Sequence, residues 1–266
     1  MSRTGQFLLL GVALWQSSAS FGQDAKQLVQ LAVQTELDAD RDDHSRWLYF
    51  ETDRKPEHSV KQWVAETGDG DLRRVIELNG QPIPAPEQQQ KIEAFLQDTS
   101  ARSKQRKGEQ HDDQQAAELL RLLPQAFIWT NEGDKDNCII LHFRPDPEFH
   151  PPDMEARVFG AMEGNMAVDR AQHRIVSLKG RLIRDVKIFG GILGNLDSGG
   201  TFDVERRQIG GNEWQITETH VHIQGHALIF KSISEQEDDE KSSFTHEPDD
   251  VTFEQAESAV MAKPDQ

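Results

Sequence analysis

Between Asp24 and Asp40 the apolar residues Leu28, Val29, Leu31, Val33 and Leu37 recur at three- and four-residue intervals. That period belongs to one face of an α-helix, and Asp24 is a suitable cap, so a helix is predicted over residues 24–40. Three short alternating runs follow, Arg46 to Glu51, Val60 to Glu66 and Leu72 to Leu78, and read as strands. Gly68-Asp69-Gly70-Asp71 joins the last two as a hairpin turn, because glycine and aspartate tolerate positive φ. Asn79-Gly80 closes the third strand, and Pro82, Pro84 and Pro86 break the ladder. Two helices are predicted next, from Glu87 to Lys107 and from Asp112 to Leu122, spanning the 87–122 region. Ile92, Phe95 and Leu96, then Leu119, Leu120, Leu122 and Leu123, give them apolar faces; the polar stretch Gln97 to Gln115 reads as a solvated link.

From Phe127 the pattern turns to β. Predicted strands are Phe127–Asn131, Asn137–Arg144, Arg157–Asp169, His173–Ile188, Thr201–Ile209, Trp214–Ile223 and His226–Ile233. In the fourth, Val176, Leu178, Leu182, Val186 and Ile188 share one face; Gly180 interrupts it as a bend or bulge. Arg184 is in phase with that face, so it either turns inward to carboxylate or carbonyl partners or is re-aimed by a bulge. The acidic run from Glu235 to Asp250 reads as an exposed loop, and Thr252-Phe253-Glu254-Gln255 as a capping box opening a helix over 252–261. The sum is an α+β fold: a large, curved, half-barrel-like antiparallel sheet of about nine or ten strands, with helices on its concave side. Residues 23–266 are expected to form one β-rich domain.

Residues 1–22 read differently. Arg3 precedes a nine-residue apolar run, Phe7 to Trp15, and then small residues. This is the order of a secretory signal peptide, with cleavage expected after Gly22 or Ser20, and the run is too short to span a bilayer. No cysteine follows it, so the mature chain is expected to be a soluble exported protein, periplasmic or secreted, and not a lipoprotein. Forty-six Asp and Glu against 29 Lys and Arg give a net charge of −17, which excludes ordinary nucleic-acid binding and disfavours anionic membranes. The single cysteine, Cys138, excludes an intrachain disulfide or a multi-thiolate zinc site and reads as a small apolar residue.

Candidate chemistry is sparse. Glu218, His220 and His222 project from one face of a strand, and two imidazoles at that spacing reach a single metal; no third ligand is evident, and polar positions on a solvent-facing strand are the plainer explanation. Cys138 and His142 share a strand face but stand about 13 Å apart, too far for a nucleophile and its base. The Asp-rich stretches Asp40–Asp43 and Asp134–Asp136 lack the glycine and distal glutamate of an EF-hand. Phe189 to Gly200 is glycine-rich but ends in neither a phosphate-binding nor a dinucleotide motif. Its apolar side chains either cap the core or line a ligand mouth, which makes Ile188, Ile192, Leu193 and Leu196, with Phe95, the candidate cavity residues. No catalytic triad, paired carboxylates or cofactor fingerprint stands out.

Gly164-Asn165-Met166-Ala167-Val168-Asp169, Arg174-Ile175-Val176-Ser177-Leu178, Gly199-Gly200-Thr201-Phe202 and Trp214 together resemble the carboxy-terminal meander of the LolA-like lipoprotein-carrier superfamily. The resemblance covers about the second half of the chain and implies an export signal, a curved antiparallel sheet and helices over an apolar concave face. It transfers no binding residue. The expected function is therefore an exported non-enzymatic binder of a lipid, acyl chain or lipoprotein segment, with no cofactor. The alternatives are an exported metal-dependent hydrolase using Glu218, His220 and His222, or a domain that binds an envelope protein.

Overall fold

The computed structural model describes residues 18–153, 155–188, 194–226 and 235–265. In chain order these form α1 (Ser18–Asp42), β1 (Arg46–Lys55), β2 (His58–Ala65), β3 (Leu72–Leu78), β4 (Gln81–Pro82), α2 (Ala85–Gln97) and α3 (Thr99–Ala126). Then come β5 (Phe127–Lys135), β6 (Cys138–Pro145), a 3₁₀ turn (Glu155–Ala161), β7 (Met162–Asp169), β8 (Ile175–Leu182) and β9 (Val186–Ile188). The rest is β10 (Gly194–Leu196), β11 (Thr201–Gly210), β12 (Glu213–Ile223), β13 (Gly225–His226), β14 (Glu235–Glu247) and α4 (Phe253–Met261). Eleven strands make one open antiparallel sheet in the order β4-β3-β2-β1-β14-β12-β11-β8-β7-β6-β5; β13, β10 and β9 make a small second sheet.

Several predicted boundaries move. The signal reading covers residues 1–22; residues 1–17 lie outside the described residues, and 18–22 continue into α1. The helical link is no link: α3 runs unbroken through it, and the break falls at Asp98, whose carboxylate accepts from the Ser100 and Ala101 N–H groups. The strand predicted from Arg157 begins only at Met162, after the 3₁₀ turn, and the long strand from His173 splits at Ile183–Arg184 into β8 and β9. That bend leaves Arg184 exposed, settling its orientation outward. The predicted strand from His226 to Ile233 falls mostly on residues 227–234, outside those described.

The largest correction is β14. The acidic run Glu235–Glu247 is a central strand, paired with β12 on one side and β1 on the other. Side chains from neighbouring strands accommodate its charge: Lys55 on Glu237 at 3.1 Å and Arg54 on Glu240 at 2.9 Å as cations, with His220 hydrogen-bonded to Asp238 at 2.7 Å. Like charges opposite one another would otherwise destabilise the ladder.

The helices do not share one side of the sheet, as expected for a concave cover. Following the register across β12, β14 and β1, a front face carries Val221, then Asp239, then Glu51, while Phe50 points to the back. On the front of the β5–β8 and β11 half, Trp129, Leu141, Phe143, Met166, Val168 and Phe202 pack under α1 and the end of α3. On the back of the β1–β3 half, Leu48, Phe50, Trp63, Leu72 and Ile76 pack under α2 and α4. Buried Arg74 fastens this second layer, donating to the α4 carbonyl of Val260 at 2.9 Å, to the Lys263 carbonyl at 2.6 Å and to Gln88 of α2 at 2.7 Å. Orphan carbonyls at a helix C-terminus favour such a cation.

Gly180 marks close packing, not a bulge. One front-face row runs Trp129, Phe143, Gly164, Gly180, Phe202 and Val221 across six strands. A Cβ on Gly164 would lie 2.0 Å from the Lys179 carbonyl oxygen, and one on Gly180 would lie 2.5 Å from the Phe202 ring. The paired glycines thus give the Phe202 ring room to lie on the sheet beside Phe143, with centroids 6.4 Å apart. Gly164→Ala is expected to cost about 3 kcal/mol or more in urea unfolding, since the clash is with backbone. Gly68→Ala, where nothing lies within 4 Å, should be nearly neutral.

Candidate functional site

Of the residues singled out for a cavity, Phe95 and Leu196 have described side chains, and these two lie in different clusters. Phe95 packs on the α2–α4 layer, edge-on to Phe253 with centroids 6.2 Å apart. Leu196 belongs to a separate cluster with Ala161, Leu182 and Val186, beside the small sheet. Ile188 contributes backbone to β9, and Ile192 and Leu193 lie outside the described residues. Cys138 is half-buried at the start of β6; burial and the charges of Asp169 and Asp136 push its thiol pKa up, away from a nucleophile's.

The apolar wall lies elsewhere, under α1. Phe127, Trp129, Phe143 and Phe159 stack edge-to-face or tilted at centroid distances of 4.8–5.8 Å, and Phe202 extends the row. Alternation along β5 and β6 puts their rings on one face, and the 3₁₀ turn adds Phe159. The cover is aliphatic: Ala25, Val29, Ala32 and Val33 of α1 lie on the wall, flanked by Leu28 and Leu37, with Leu119, Leu120 and Leu123 from α3.

In phase with that apolar stripe, Glu36 is buried. It takes Arg174 at 2.9 Å and the Ile175 N–H at 2.6 Å, and pairs also with Arg206. Burial works to raise its pKa, but hydrogen bonds and charge from Arg174 and Arg206 outweigh it and hold the carboxyl below its ordinary value. The sequence reading missed this clasp, although Glu36 falls at helical spacing from Val29, Ala32 and Val33.

The front face of the β1–β3 half carries a layer of ionisable groups beside the apolar cluster of Trp47, Tyr49 and Val64. Tyr49 and Glu51 of β1, Gln62 and Glu66 of or beside β2, Asp71 and Arg73 at β3, and Asp239 and Lys241 of β14 share it. Arg73 holds Asp71 at 2.9 Å; Lys241 lies 3.6 Å from Asp239 and 3.8 Å from Glu51. Burial, reinforced by Asp71, lifts Glu66 to about 7. Burial also lifts Asp71 to about 6, with Arg73 opposing, and Asp239 to about 6, with Lys241 opposing. The same desolvation raises the Tyr49 phenol well above its usual value. These carboxyls are poised to hold protons near neutrality. Their folded pKa values lie above the unfolded ones, so they stabilise the fold most below the unfolded values, and that contribution is lost as pH rises through about 6 to 7. Scanning calorimetry is expected to show the melting temperature rising by about 5 °C from pH 8 to pH 5.5, and Glu66→Gln should shrink that rise by stabilising the protein at pH 8.

His220 and His222 converge on one carboxylate. Asp238 of β14 takes His220 Nδ1 at 2.7 Å and His222 Nε2 at 3.1 Å, while Glu218 stands 3.9 Å from His220 Nε2. Among the described residues no group of three or more His, Cys, Asp or Glu side chains is placed to hold a metal ion. The hydrogen bond to Asp238 raises the His220 pKa above 6.5 despite some desolvation, and the same bond lowers that of Asp238. NMR titration should find His220 deprotonating above its ordinary range, and Asp238→Asn should bring it back down. No family model, curated protein or solved structure matches this chain.

Proposed function

We propose that the protein is an exported, non-enzymatic binder of an apolar chain, a lipid, acyl chain or lipoprotein segment, taken up against the aromatic wall beneath α1. The observation that carries this reading is the ring-lined row Trp129–Phe143–Phe202 on an open sheet, covered by the aliphatic side chains of α1 and the leucines of α3. A half-barrel curvature of that sheet would turn the wall into a groove. Moving α1 aside would expose the rings to a ligand, and the Glu36 clasp is the polar contact that would have to open. Burying methylenes yields about 0.8 kcal/mol each, so a long chain needs no polar chemistry to bind. The likeness of the second half to lipoprotein carriers and the order of residues 1–22 support the same reading. Protein refolded from urea and titrated with 11-(dansylamino)undecanoic acid is expected to show a saturable, blue-shifted emission with energy transfer from tryptophan, displaced by palmitate. Absence of saturable emission overturns the proposal.

A further inference from the structure

The Glu36 clasp is unbalanced in charge. Two guanidinium groups, Arg174 of the turn before β8 and Arg206 of β11, meet this one carboxylate. Glu36 is 6% exposed and Arg174 8%. Arg174 Nη2 and Arg206 Nη1 both donate to Glu36 Oε2, and the Ile175 N–H donates to Oε1. Their other acceptors are backbone: Arg174 Nη1 donates to the Asn212 carbonyl at 3.3 Å and Arg206 Nη2 to the Trp214 carbonyl at 3.2 Å. Arg174 Nε is buried without an acceptor. The pocket is therefore short of negative charge and of acceptors even with α1 in place. A buried guanidinium that loses its carboxylate is more costly still.

This pocket stands at one end of the aromatic wall. Ile175, whose N–H reaches Glu36, packs in the same apolar cluster as Phe143 and Phe202, and so do Val33 and Leu37 of α1 on either side of Glu36 in the chain. Along β11, Phe202, Val204 and Arg206 alternate onto the front face. Four residues of strand put about 13 Å between the ring and the guanidinium positions, within the length of an extended acyl chain. The cations and the anion belong to different layers. Arg174 and Arg206 come from the sheet, whereas Glu36 comes from its cover. Moving α1 aside takes the carboxylate away and leaves both guanidiniums at the end of the exposed rings.

We propose that Arg174 and Arg206 form the headgroup site for the bound chain, so that the protein selects acyl chains ending in a free carboxylate, which takes the place of the Glu36 carboxylate. This inference rests on the acyl-chain reading above and names the ligand class for the same site. Glu36 shows the chemistry the pocket accepts: one carboxylate against two guanidinium forks and a backbone N–H. A neutral headgroup would leave two cations without an anion, and a cationic one would add repulsion. The net charge of −17 opposes every anion at long range, so a preference for the acid reports a local cationic site and not the field of the whole molecule.

The test uses the full chain refolded from urea and a matched pair of probes, 11-(dansylamino)undecanoic acid and its methyl ester, which share chain and dye. At neutral pH the acid is expected to bind about tenfold more tightly than the ester, as for a charge-assisted hydrogen-bonded pair. Arg206→Gln, its fold checked by thermal melting, should remove most of that preference and leave the ester within about twofold of its original affinity. Glu36→Gln, which keeps the shape and removes the competing charge, should tighten the acid more than the ester. Saturable binding of both probes with equal affinity overturns the headgroup assignment and leaves the acyl-chain reading standing. A preference that survives intact in folded Arg206→Gln overturns it too. Should Arg206→Gln not fold, Glu36→Gln decides, and an acid bound no more tightly than by the original protein overturns the assignment. Saturation by neither probe removes both readings.

Discussion

The architecture hangs on the pairing of β14 with β1. That ladder alone joins the β1–β4 half of the main sheet to the β5–β8 and β11–β12 half. It is made by the most acidic segment of the chain, with five acids among Glu235–Glu240. Such a strand stays in the middle of a sheet only where its neighbours supply partners, and Arg54 and Lys55 from β1 do so as cations while His220 of β12 hydrogen-bonds Asp238. Lys241, within the strand, offsets Asp239 and Glu51, and the raised pKa of Asp239 records the residual cost.

This explains why that strand was not legible in the sequence while its neighbours were. The meander from β6 to β12 alternates cleanly because one face is buried under helices and the other carries cross-strand ion pairs such as Lys179–Glu205 and Arg181–Glu163. β14 has no apolar alternation to read, because its front side chains face a charged layer and its back ones, Asp238 and Glu240, meet His220 and Arg54. Complementary charge on distant strands decided its structure, and no local window contains that information. The helix break at Asp98 was masked for a related reason: the polar stretch after it looked like a linker, but an N-cap aspartate and good helix formers suffice to keep α3 continuous.

The candidate residues divide along the same line. The aromatic positions in β5 and β6 were visible as strand residues, but no spacing announced that two glycines would bring Phe143 and Phe202 together over bare backbone. The cavity guess relied on an apolar loop, and its described members fell into two clusters on different layers. The two-sided arrangement has a structural corollary. The α2–α4 layer covers the back of the β1–β3 half and the α1–α3 layer the front of the other half, so the two apolar cores are built from separate side chains.

The β1–β14 ladder has one further consequence, which concerns time. It joins Arg46 to Glu247, so the contact that unites the two halves spans most of the polypeptide. Closing so long a loop is entropically slow, and folds dominated by such pairings assemble late. A ribosome or a secretion channel feeding this chain from its amino end would release β1 long before its neighbour arrives. Until then the hairpin of β1 and β2 would present a bare edge, a window in which a chaperone or a self-association route competes with folding.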